Sequence, residues 1–266
     1  MNIIEEPESR LETLLRLAAT EPAHRPEFCK VLLESNVLVL GSAEQDQPGE
    51  KNLQAGSSIS LVNWQDESGN EIIPFFSSMD ALEASVETDE PYLEMPVSVL
   101  FEMTLGEKLI MNPHSEYGKE FYPDEVESLL STGLIQESLQ HMIEEDTEVM
   151  LGQPETYPAQ LVDSLTTLFS KHANVTAGYL GLIHDASHDE EPNLIIGVLG
   201  EGDLELVINE AGLVARDTTD DDDVIDFIVV EESDDGISSY FLTETKPFYE
   251  HRWGSKMKPY TEPGEA

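Results

Sequence analysis

Two helices are predicted near the N-terminus from the spacing of apolar residues. Within residues 8–19, apolar side chains recur at i, i+3, i+4 and i+7, which places them on one helix face: Leu11, Leu14, Leu15 and Ala18. A second helix is predicted from near Pro26, a residue suited to the first helical turn, to about Ser35. The pattern therefore predicts that the fold begins with a pair of helices.

Short apolar runs separated by polar turns continue to about residue 130. The predicted elements are a strand at 36–41, a loop at 42–57, a hairpin of 58–65 and 71–76, a helix at 79–86, a strand at 91–96, a helix at 97–105, a strand at 107–112 and a helix at 123–130. Ser77 or Ser78 is expected to cap the helix at 79–86, because a serine hydroxyl accepts a hydrogen bond from a first-turn N–H.

The second half repeats this mixture after a change in composition. Residues 131–158 contain six acids and no lysine or arginine, together with two glycines and two prolines, as is typical of a linker. Beyond it, the predicted elements are a helix at 158–172, strands at 177–185 and 193–200, a helix at 203–212 closed by Gly212, and further segments at 224–232 and 237–245.

The predicted fold class is α+β, with two small mixed α/β domains that are each a short sheet packed with helices. The predicted boundaries are an N-terminal domain at 1–130, an acidic linker at 131–158 and a C-terminal domain at 159–266. A chain of this length can bury a real core in either one large domain or two small ones.

The chain carries a large excess of acidic residues. It contains 13 basic and 55 acidic residues, a formal net charge of −42 at pH 7. Such a surface repels nucleic-acid phosphates and anionic lipid headgroups, so we expect no nucleic-acid binding and no membrane binding. We interpret the acidity as a surface suited to a salty cytoplasm. A DNA mimic and a clamp for basic partners are the alternatives.

The sequence is expected to be cytoplasmic. No apolar run approaches the roughly 18 residues of a membrane span. The first residues are acidic, without the basic-then-apolar order of a signal peptide. The single cysteine, Cys29, has no intramolecular partner for a disulfide.

Cys29 is also the one candidate thiol nucleophile, with His24 five residues before it. On a helix these two positions lie roughly 140° apart, on different faces. Cys29 stands among Phe28, Val31 and Leu32 inside a helix, whereas reactive thiolates usually occur at helix N-termini or in loops. We therefore interpret Cys29 as a buried, inert thiol.

Three further motifs do not meet the requirements of a metal or cofactor site. His184 and His188 have a helical ligand spacing, but they fall between two predicted strands, where that geometry is lost. The glycines of 197–202 do not have the spacing of a dinucleotide loop. The acidic run at 217–226 lacks the glycine and the closing glutamate of an EF-hand. No metal, cofactor or catalytic residue is therefore assigned.

One segment, 246–260, reverses the charge pattern. It combines basic and aromatic side chains around a single acid: Lys246, Phe248, Tyr249, His251, Arg252, Trp253, Lys256, Lys258 and Tyr260. It is either a binding face for a partner or a C-terminal helix whose aromatics dock on the core while its cations meet the acidic body. The second interpretation is favoured.

Six strings of the sequence are distinctive when they are taken together: ATEPAHRPEFCKVLLES, IIPFFSSMDALE, MPVSVLFEMTLGE, YGKEFYPDE, DSLTTLF and PFYEHRWG. Together they resemble the enhanced serine sensitivity (SseB) family of bacterial cytoplasmic proteins. The likeness covers nearly the whole chain and implies an N-terminal family domain followed by a distinct C-terminal one. The family is named for a phenotype, and the resemblance implies no reaction and no catalytic residue.

The favoured function is a non-enzymatic module that binds protein partners or regulates them, with a link to serine sensitivity implied by the resemblance. Polar and aromatic residues cluster in loops without catalytic geometry, at 23–26, 104–107, 117–120 and 247–253. The candidate partner-binding residues are His24, Arg25, Thr104, Glu107, Lys119, Glu120, Phe248, Tyr249, Arg252 and Trp253. The sequence identifies neither the protein partner nor the oligomeric state.

An enzyme or accessory factor of amino-acid or sulfur metabolism is the alternative. It would use carboxylates such as Glu107 and Glu120. A pocket that brings these acids together with His24 or Lys119 would favour the enzyme, whereas a flat apolar patch would favour the binding protein. Whether the protein is an enzyme stays open at this point, with the binding protein favoured.

We predict that salt stabilises the folded chain. With a net charge of −42, self-repulsion strains the compact state at low ionic strength, and added ions screen it. The thermal midpoint, measured across a sodium chloride series, is expected to rise and then level off. A flat or falling series would contradict the prediction, because it would mean that the charges are too dispersed or too well paired to matter.

Overall fold

A computed structural model of the chain describes residues 9–43, 58–65, 69–86, 90–135, 149–184, 192–219, 224–233 and 236–251. Contacts divide the chain into two units: Met1–Leu139, the N-terminal unit, and Gln140–Ala266, the C-terminal unit. Each unit has its own mixed sheet and its own helices, so the α+β class predicted from the sequence is confirmed. Among the described residues, no helix is long and apolar enough to cross a membrane.

The N-terminal unit combines helices with short strands, as the apolar pattern predicts. These elements are α1 (Arg10–Thr20), α2 (Arg25–Leu33), β1 (Asn36–Ala43), β2 (Ile59–Leu61), β3 (Trp64–Gln65), β4 (Glu71–Phe76), α3 (Met79–Glu83), β5 (Tyr92–Pro96), α4 (Val97–Met103), β6 (Leu109–Met111), β7 (Lys119–Phe121) and α5 (Pro123–Thr132). A 3-10 turn, Pro22–His24, joins α1 to α2. Of the two serines expected to cap α3, Ser78 does so by accepting from the N–H of Ala81.

The seven-stranded sheet of this unit has the order β2-β1-β4-β6-β7, with β3 beside β4 and β5 beside β1. β4 and β6 are parallel, since a long connection through α3, β5 and α4 joins them, and the other pairs are antiparallel. The hairpin predicted between 58–65 and 71–76 forms only in part. Trp64 and Gln65 pair with β4, whereas β2 pairs with β1, because β1 continues to Ala43.

Helices α1, α2, α4 and α5 bury their apolar stripes against one face of this sheet. The four predicted stripe residues of α1 are all buried. At the centre of the core, the rings of Phe75, Phe101 and Phe121 have centroids 6.1, 5.8 and 5.5 Å apart, which is typical of tilted and edge-to-face pairs. Leu40 and Phe76 point to the opposite face of the sheet, where they pack against α3.

The C-terminal unit is built around the ten-residue strand β9. Its elements are β8 (Met150–Gly152), α6 (Ala159–Phe169), β9 (Val175–His184), β10 (Asn193–Gly200), α7 (Glu205–Arg216), β11 (Ile225–Val229), α8 (Ile237–Glu244) and β12 (Tyr249–Glu250). The sheet has the order β11-β10-β9-β12, and β8 also pairs with β9. β10 and β11 are parallel, whereas β9 pairs with its three neighbours in the antiparallel sense.

Two phenylalanines cover opposite faces of this second sheet. Phe169 of α6 lies against Gly178, and Phe241 of α8 lies against Gly181 and Gly197. Residues 178 and 181 point to opposite faces because side chains alternate along a strand. Glycine at these positions lets each ring approach the strand backbone closely.

The end of α7 and the position of the first strand of the C-terminal unit differ from the sequence prediction. α7 continues through Gly212, where the prediction ended it, to Arg216. Burial of neighbouring residues such as Val214 offsets the low helix propensity of that glycine. The predicted linker at 131–158 contains β8, whose three residues pair with the end of β9. A composition shift therefore does not mark where the sheet of this unit begins.

Gly197→Ala is expected to destabilise the protein by about 1–3 kcal/mol through overpacking. A Cβ at this position would lie 2.8 Å from both Phe241 and Val230, which are buried side chains. The matched control is Gly212→Ala, where an added Cβ meets no atom within 4 Å. The control is expected to keep the stability or raise it by about 0.4–1 kcal/mol. Urea denaturation measures both variants, and equal stability of the two would contradict the proposed packing.

Candidate functional site

Charged and aromatic side chains lie around the β6–β7 hairpin and the first turn of α5 in the N-terminal unit. Lys108 Nζ lies 3.1 Å from Glu120 Oε2 and 5.1 Å from the centre of the Tyr122 ring. The Tyr122 hydroxyl donates to the same Glu120 oxygen at 3.1 Å. Lys119 Nζ lies 2.9 Å from Glu125 Oε1. We call these five residues the hairpin cluster.

The pairing of β6 with β7 explains why Lys108, Glu120 and Tyr122 meet, whereas Lys119 points to the opposite face of the sheet, towards Glu125 of α5. Leu109 lies opposite Phe121, so Lys108 and Tyr122 are cross-strand neighbours just beyond the ladder. Lys119 and Glu120 were candidate residues from the sequence, whereas the partners in the cluster were not. The sequence prediction contained no strand at 119–121. Without β7, no predicted strand pairing places Lys108 near Glu120 and Tyr122.

An open cleft of about 240 Å³ borders the hairpin cluster. It is lined by residues 110–113, Ser115 and 118–120. Asn112 has a left-handed backbone with φ of 50°, and a Cβ at Gly118 would lie 2.7 Å from the Met111 carbonyl oxygen. The cleft thus contains Lys119 and Glu120, and its lining includes neither Glu107 nor His24.

A polar network around the buried side chain of Asn112 supports the wall of the cleft. Asn112 Oδ1 accepts from the Ser77 N–H at 2.9 Å, and Asn112 Nδ2 donates to Ser77 Oγ at 2.8 Å. Ser77 Oγ in turn donates to Glu12 Oε1 at 2.9 Å. Burial raises the pKa of Glu12, but hydrogen bonds from Ser78, Ser77 and Ser9 outweigh it and hold the pKa below its usual value. The sequence did not suggest this network.

Helix α4 exposes large apolar side chains on its outer face. Its inner stripe is buried at i, i+3, i+4 and i+7: Val97, Leu100, Phe101 and Thr104. On the outer face, Val99 and Met103 are i, i+4 neighbours and are 40% and 47% exposed. Leu105, just after the helix, is 51% exposed. We call Val99, Met103 and Leu105 the α4 surface.

Two residues of the predicted segment 104–107 have different environments. Thr104 belongs to the inner stripe of α4, and its Oγ1 donates to the Leu100 carbonyl at 2.8 Å. Its side chain is therefore buried and hydrogen-bonded within the helix rather than exposed for recognition. Glu107 is exposed and, with Glu102, borders the α4 surface. The helical period places Thr104 in line with the buried stripe of α4, whereas Glu107 lies beyond the end of the helix.

The α1–α2 junction holds His24 and Arg25. His24 Nε2 lies 3.3 Å from Glu21 Oε2. Arg25 Nε donates to the Ala18 carbonyl at 3.2 Å, near the end of α1, where carbonyls lack intrahelical partners. Both side chains thus stabilise the junction between the two helices. A role for either residue in partner binding stays a prediction.

Cys29 lies in α2 and is 1% exposed. Burial raises the pKa of its thiol to about 12, against a smaller opposing effect of Lys119. The thiol is therefore protonated near neutral pH and shielded from reagents. The prediction of a buried thiol in a helix is confirmed.

The described part of the basic and aromatic segment, 246–251, docks on the C-terminal unit as a strand rather than as a helix. Tyr249 and Glu250 form β12, which extends the sheet beside β9. Phe248 stacks on Phe169 with ring centroids 6.0 Å apart, and Tyr249 is 8% exposed. Docking of these two aromatics on the core is confirmed. The helix expected here is wrong for the described part, because β9 offers backbone partners that a strand can use.

Several residues from the sequence predictions lie outside the described residues. They are His188, the acidic residues 220–223, Arg252, Trp253, Lys256, Lys258 and Tyr260. Arg252 and Trp253 therefore stay predictions as partner-binding residues. Among the described residues, no group of three or more histidine, cysteine, aspartate or glutamate side chains could hold a metal ion.

The fold defines a protein of two mixed α+β units, the first of which carries an exposed apolar surface and a charged hairpin. A family model described as the SseB protein N-terminal domain matches residues 11–128. A second, described as the SseB protein C-terminal domain, matches residues 143–251. The chain belongs to the SseB family, so the resemblance found in the sequence is confirmed.

Curated relatives agree with this assignment. The chain is 41% identical over 255 residues to Protein SseB of Escherichia coli (strain K12), with 96% of this chain and 97% of the relative covered. Protein SseB of Shigella flexneri is similar to the same extent. No solved structure matches the chain.

Glu12→Gln is expected to destabilise the protein by about 1–3 kcal/mol at pH 7, because Gln cannot supply a charged acceptor to the serines. The pKa of Glu12 is lowered on folding, so its carboxylate stabilises the fold above the unfolded-state pKa of about 4.3. This contribution is lost as pH falls through the lower folded-state pKa. The difference between wild type and Glu12→Gln in urea denaturation should therefore shrink towards pH 3.

The control for this pH series is Glu83→Gln, which changes an exposed glutamate of α3. It is expected to alter stability by less than about 0.5 kcal/mol at every pH. If Glu12→Gln behaves like Glu83→Gln, or if its effect grows at low pH, the carboxylate does not stabilise the fold through this network.

Proposed function

We propose that this SseB-family protein is a cytoplasmic, non-enzymatic module that binds a protein partner or regulates it, and that this binding underlies a link to serine sensitivity. The proposed contact region is the α4 surface together with Glu102, Glu107 and the exposed edge of the hairpin cluster. The partner is proposed to bring an apolar patch surrounded by basic residues.

The observation that carries this proposal is the exposure of Val99, Met103 and Leu105 within seven residues of chain. Neighbouring exposed apolar side chains with a polar border are characteristic of protein-binding surfaces. Covering them removes apolar surface from water, which contributes roughly 25 cal/mol per Å². Methionine adds adaptability, since its unbranched side chain adjusts to different partner shapes.

The charge around the α4 surface supports a basic partner. Lys108 is paired with Glu120, and Lys119 is paired with Glu125. Within the described residues, Glu102 and Glu107 form no ion pair. These two carboxylates are therefore available to cations of a partner, and the overall net charge of −42 would steer such a partner towards the protein.

A second candidate function, an enzyme, rests on the cleft that contains Lys119 and Glu120. A lysine and a carboxylate at one cleft are groups that proton transfer can use. In this arrangement Glu120 already accepts from Lys108 and Tyr122, and Glu107 and His24 lie outside the lining. The cleft thus lacks Glu107, one of the two acids that the enzyme interpretation required, and its other acid is already paired, so we favour the binding protein.

The double variant Met103→Ser/Leu105→Ser tests the proposed function. Both side chains are about half exposed, so the thermal midpoint should stay close to that of the wild type. Affinity purification of the full chain from native bacterial lysate, followed by mass spectrometry, should recover partner proteins with wild type. The double variant should lose those partners, because the apolar contact is removed.

The matched control is Leu206→Ser, which changes an equally exposed leucine, 55% exposed, in the C-terminal unit. It should keep the whole partner list. Retention of all partners by the double variant would contradict the proposed contact region. If Glu120→Gln abolished the effect of the protein on growth in serine while every partner was retained, the enzyme alternative would be favoured instead.

A further inference from the structure

Strand β11 forms one end of the sheet in the C-terminal unit and pairs there with β10 alone. The N–H of Val230, directly after β11, donates to the Val198 carbonyl at 2.9 Å. Because successive residues of a strand direct their backbone groups to opposite edges, Ile225, Phe227 and Val229 direct theirs away from β10. Within the described part of the chain, no backbone partner lies on that edge.

Four of the five residues of β11 are apolar, and Asp226 is the one charged residue of the strand. Its sequence, IDFIV, contains neither proline nor lysine, two residues that commonly block strand addition. Val229 is 40% exposed, and Val224 just before the strand is 43% exposed. Ile225 and Phe227 are half-buried, so their side chains can still contact a neighbouring strand. An edge with these properties can template the addition of another strand.

Acidic residues flank this edge at both ends. Five acids stand in 217–223, before the strand, and four stand in 231–235, after it. Of these acids, Glu231 and Glu232 are described and exposed directly after the strand, so a segment that lay along β11 would meet negative charge there. Charge complementarity selects a segment whose apolar centre is flanked by lysine or arginine.

We propose that the open edge of β11 binds an extended segment of a partner protein, with alternating apolar residues between basic ends, as an added strand. Backbone hydrogen bonds to Ile225, Phe227 and Val229 supply affinity, and the acidic flanks select the basic ends. This site lies in a different unit from the α4 surface, so it stands or falls independently of the proposed function.

The same charges argue against a second copy of this chain as the occupant. A second copy carries the same net charge of −42, so the pairing of β11 with itself would bring like charges together. A basic segment of another protein avoids this repulsion and gains attraction in its place.

A synthetic peptide tests the proposal on the full chain. The probe is a fluorescein-labelled peptide of five alternating valines and threonines between pairs of lysines, and binding is followed by fluorescence anisotropy. Two control peptides carry glutamates in place of the lysines or N-methyl groups on alternate amides of the centre. Each control should bind at least about tenfold more weakly, and binding of the probe should weaken with added salt.

Hydrogen exchange locates the bound peptide. In the free protein, the amides of Ile225, Phe227 and Val229 should exchange quickly, whereas the amide of Ile228, which faces β10, should be protected. Addition of the lysine peptide should slow the first three. The proposal would be overturned if the lysine peptide did not bind, or if it protected amides other than these three. It would also be overturned if the N-methylated control bound equally well.

A pair of variants distinguishes the contribution of the Val229 backbone N–H to peptide binding from that of the Val229 side chain. Val229→Pro removes an N–H on the open edge without removing a hydrogen bond to β10, and it should weaken peptide binding about tenfold. Val229→Ala keeps that N–H and should bind nearly as well as wild type. Equal peptide binding by the two variants would overturn strand addition. The proposal would also be overturned if, without peptide, the hydrogen-exchange protection of Ile225, Phe227 and Val229 rose with protein concentration, because a second copy of the chain would then occupy the edge.

Discussion

The burial of apolar helix faces against two short sheets is the interaction on which the rest of this structure depends. The chain carries a net charge of −42, and the self-repulsion of that charge favours an expanded state. Hydrophobic burial is the main term that opposes it. Phe75, Phe101 and Phe121 meet at the centre of the N-terminal core, and Phe169 and Phe241 cover the two faces of the second sheet. Each unit is therefore organised around aromatic rings, and no acid among the described residues is fully buried.

The polar network of Asn112, Ser77 and Glu12 adds specificity to this burial. Glu12 lies in α1, Ser77 between β4 and α3, and Asn112 directly after β6, and they are joined by hydrogen bonds, so displacement of one would leave the others unsatisfied. Asn112 also has the left-handed backbone that turns the chain after β6. The position of the cleft, and of Lys119 and Glu120 on the returning strand, follows from that turn.

The α4 surface and the β11 edge both combine exposed apolar residues with nearby acidic residues. In both, apolar side chains or open backbone groups lie between acidic residues, such as Glu107 beside α4 and Glu231 after β11. The apolar part can supply binding energy, whereas the acidic residues favour a positively charged partner over a negatively charged one. Both proposals thus assign the partner a basic segment, which the net negative charge of the chain would attract.

The sequence by itself determined the features that depend on local spacing: the buried stripe of α1, a serine cap on α3 and the buried thiol of Cys29. Local periodicity suffices for these because neighbours along a helix are neighbours in space. Tertiary structure alone decided the parallel pairing of β4 with β6, the strand at Tyr249, and the network that joins Glu12 to Asn112. Those contacts join residues far apart in the chain, so their geometry depends on how whole elements pack, which no local pattern encodes.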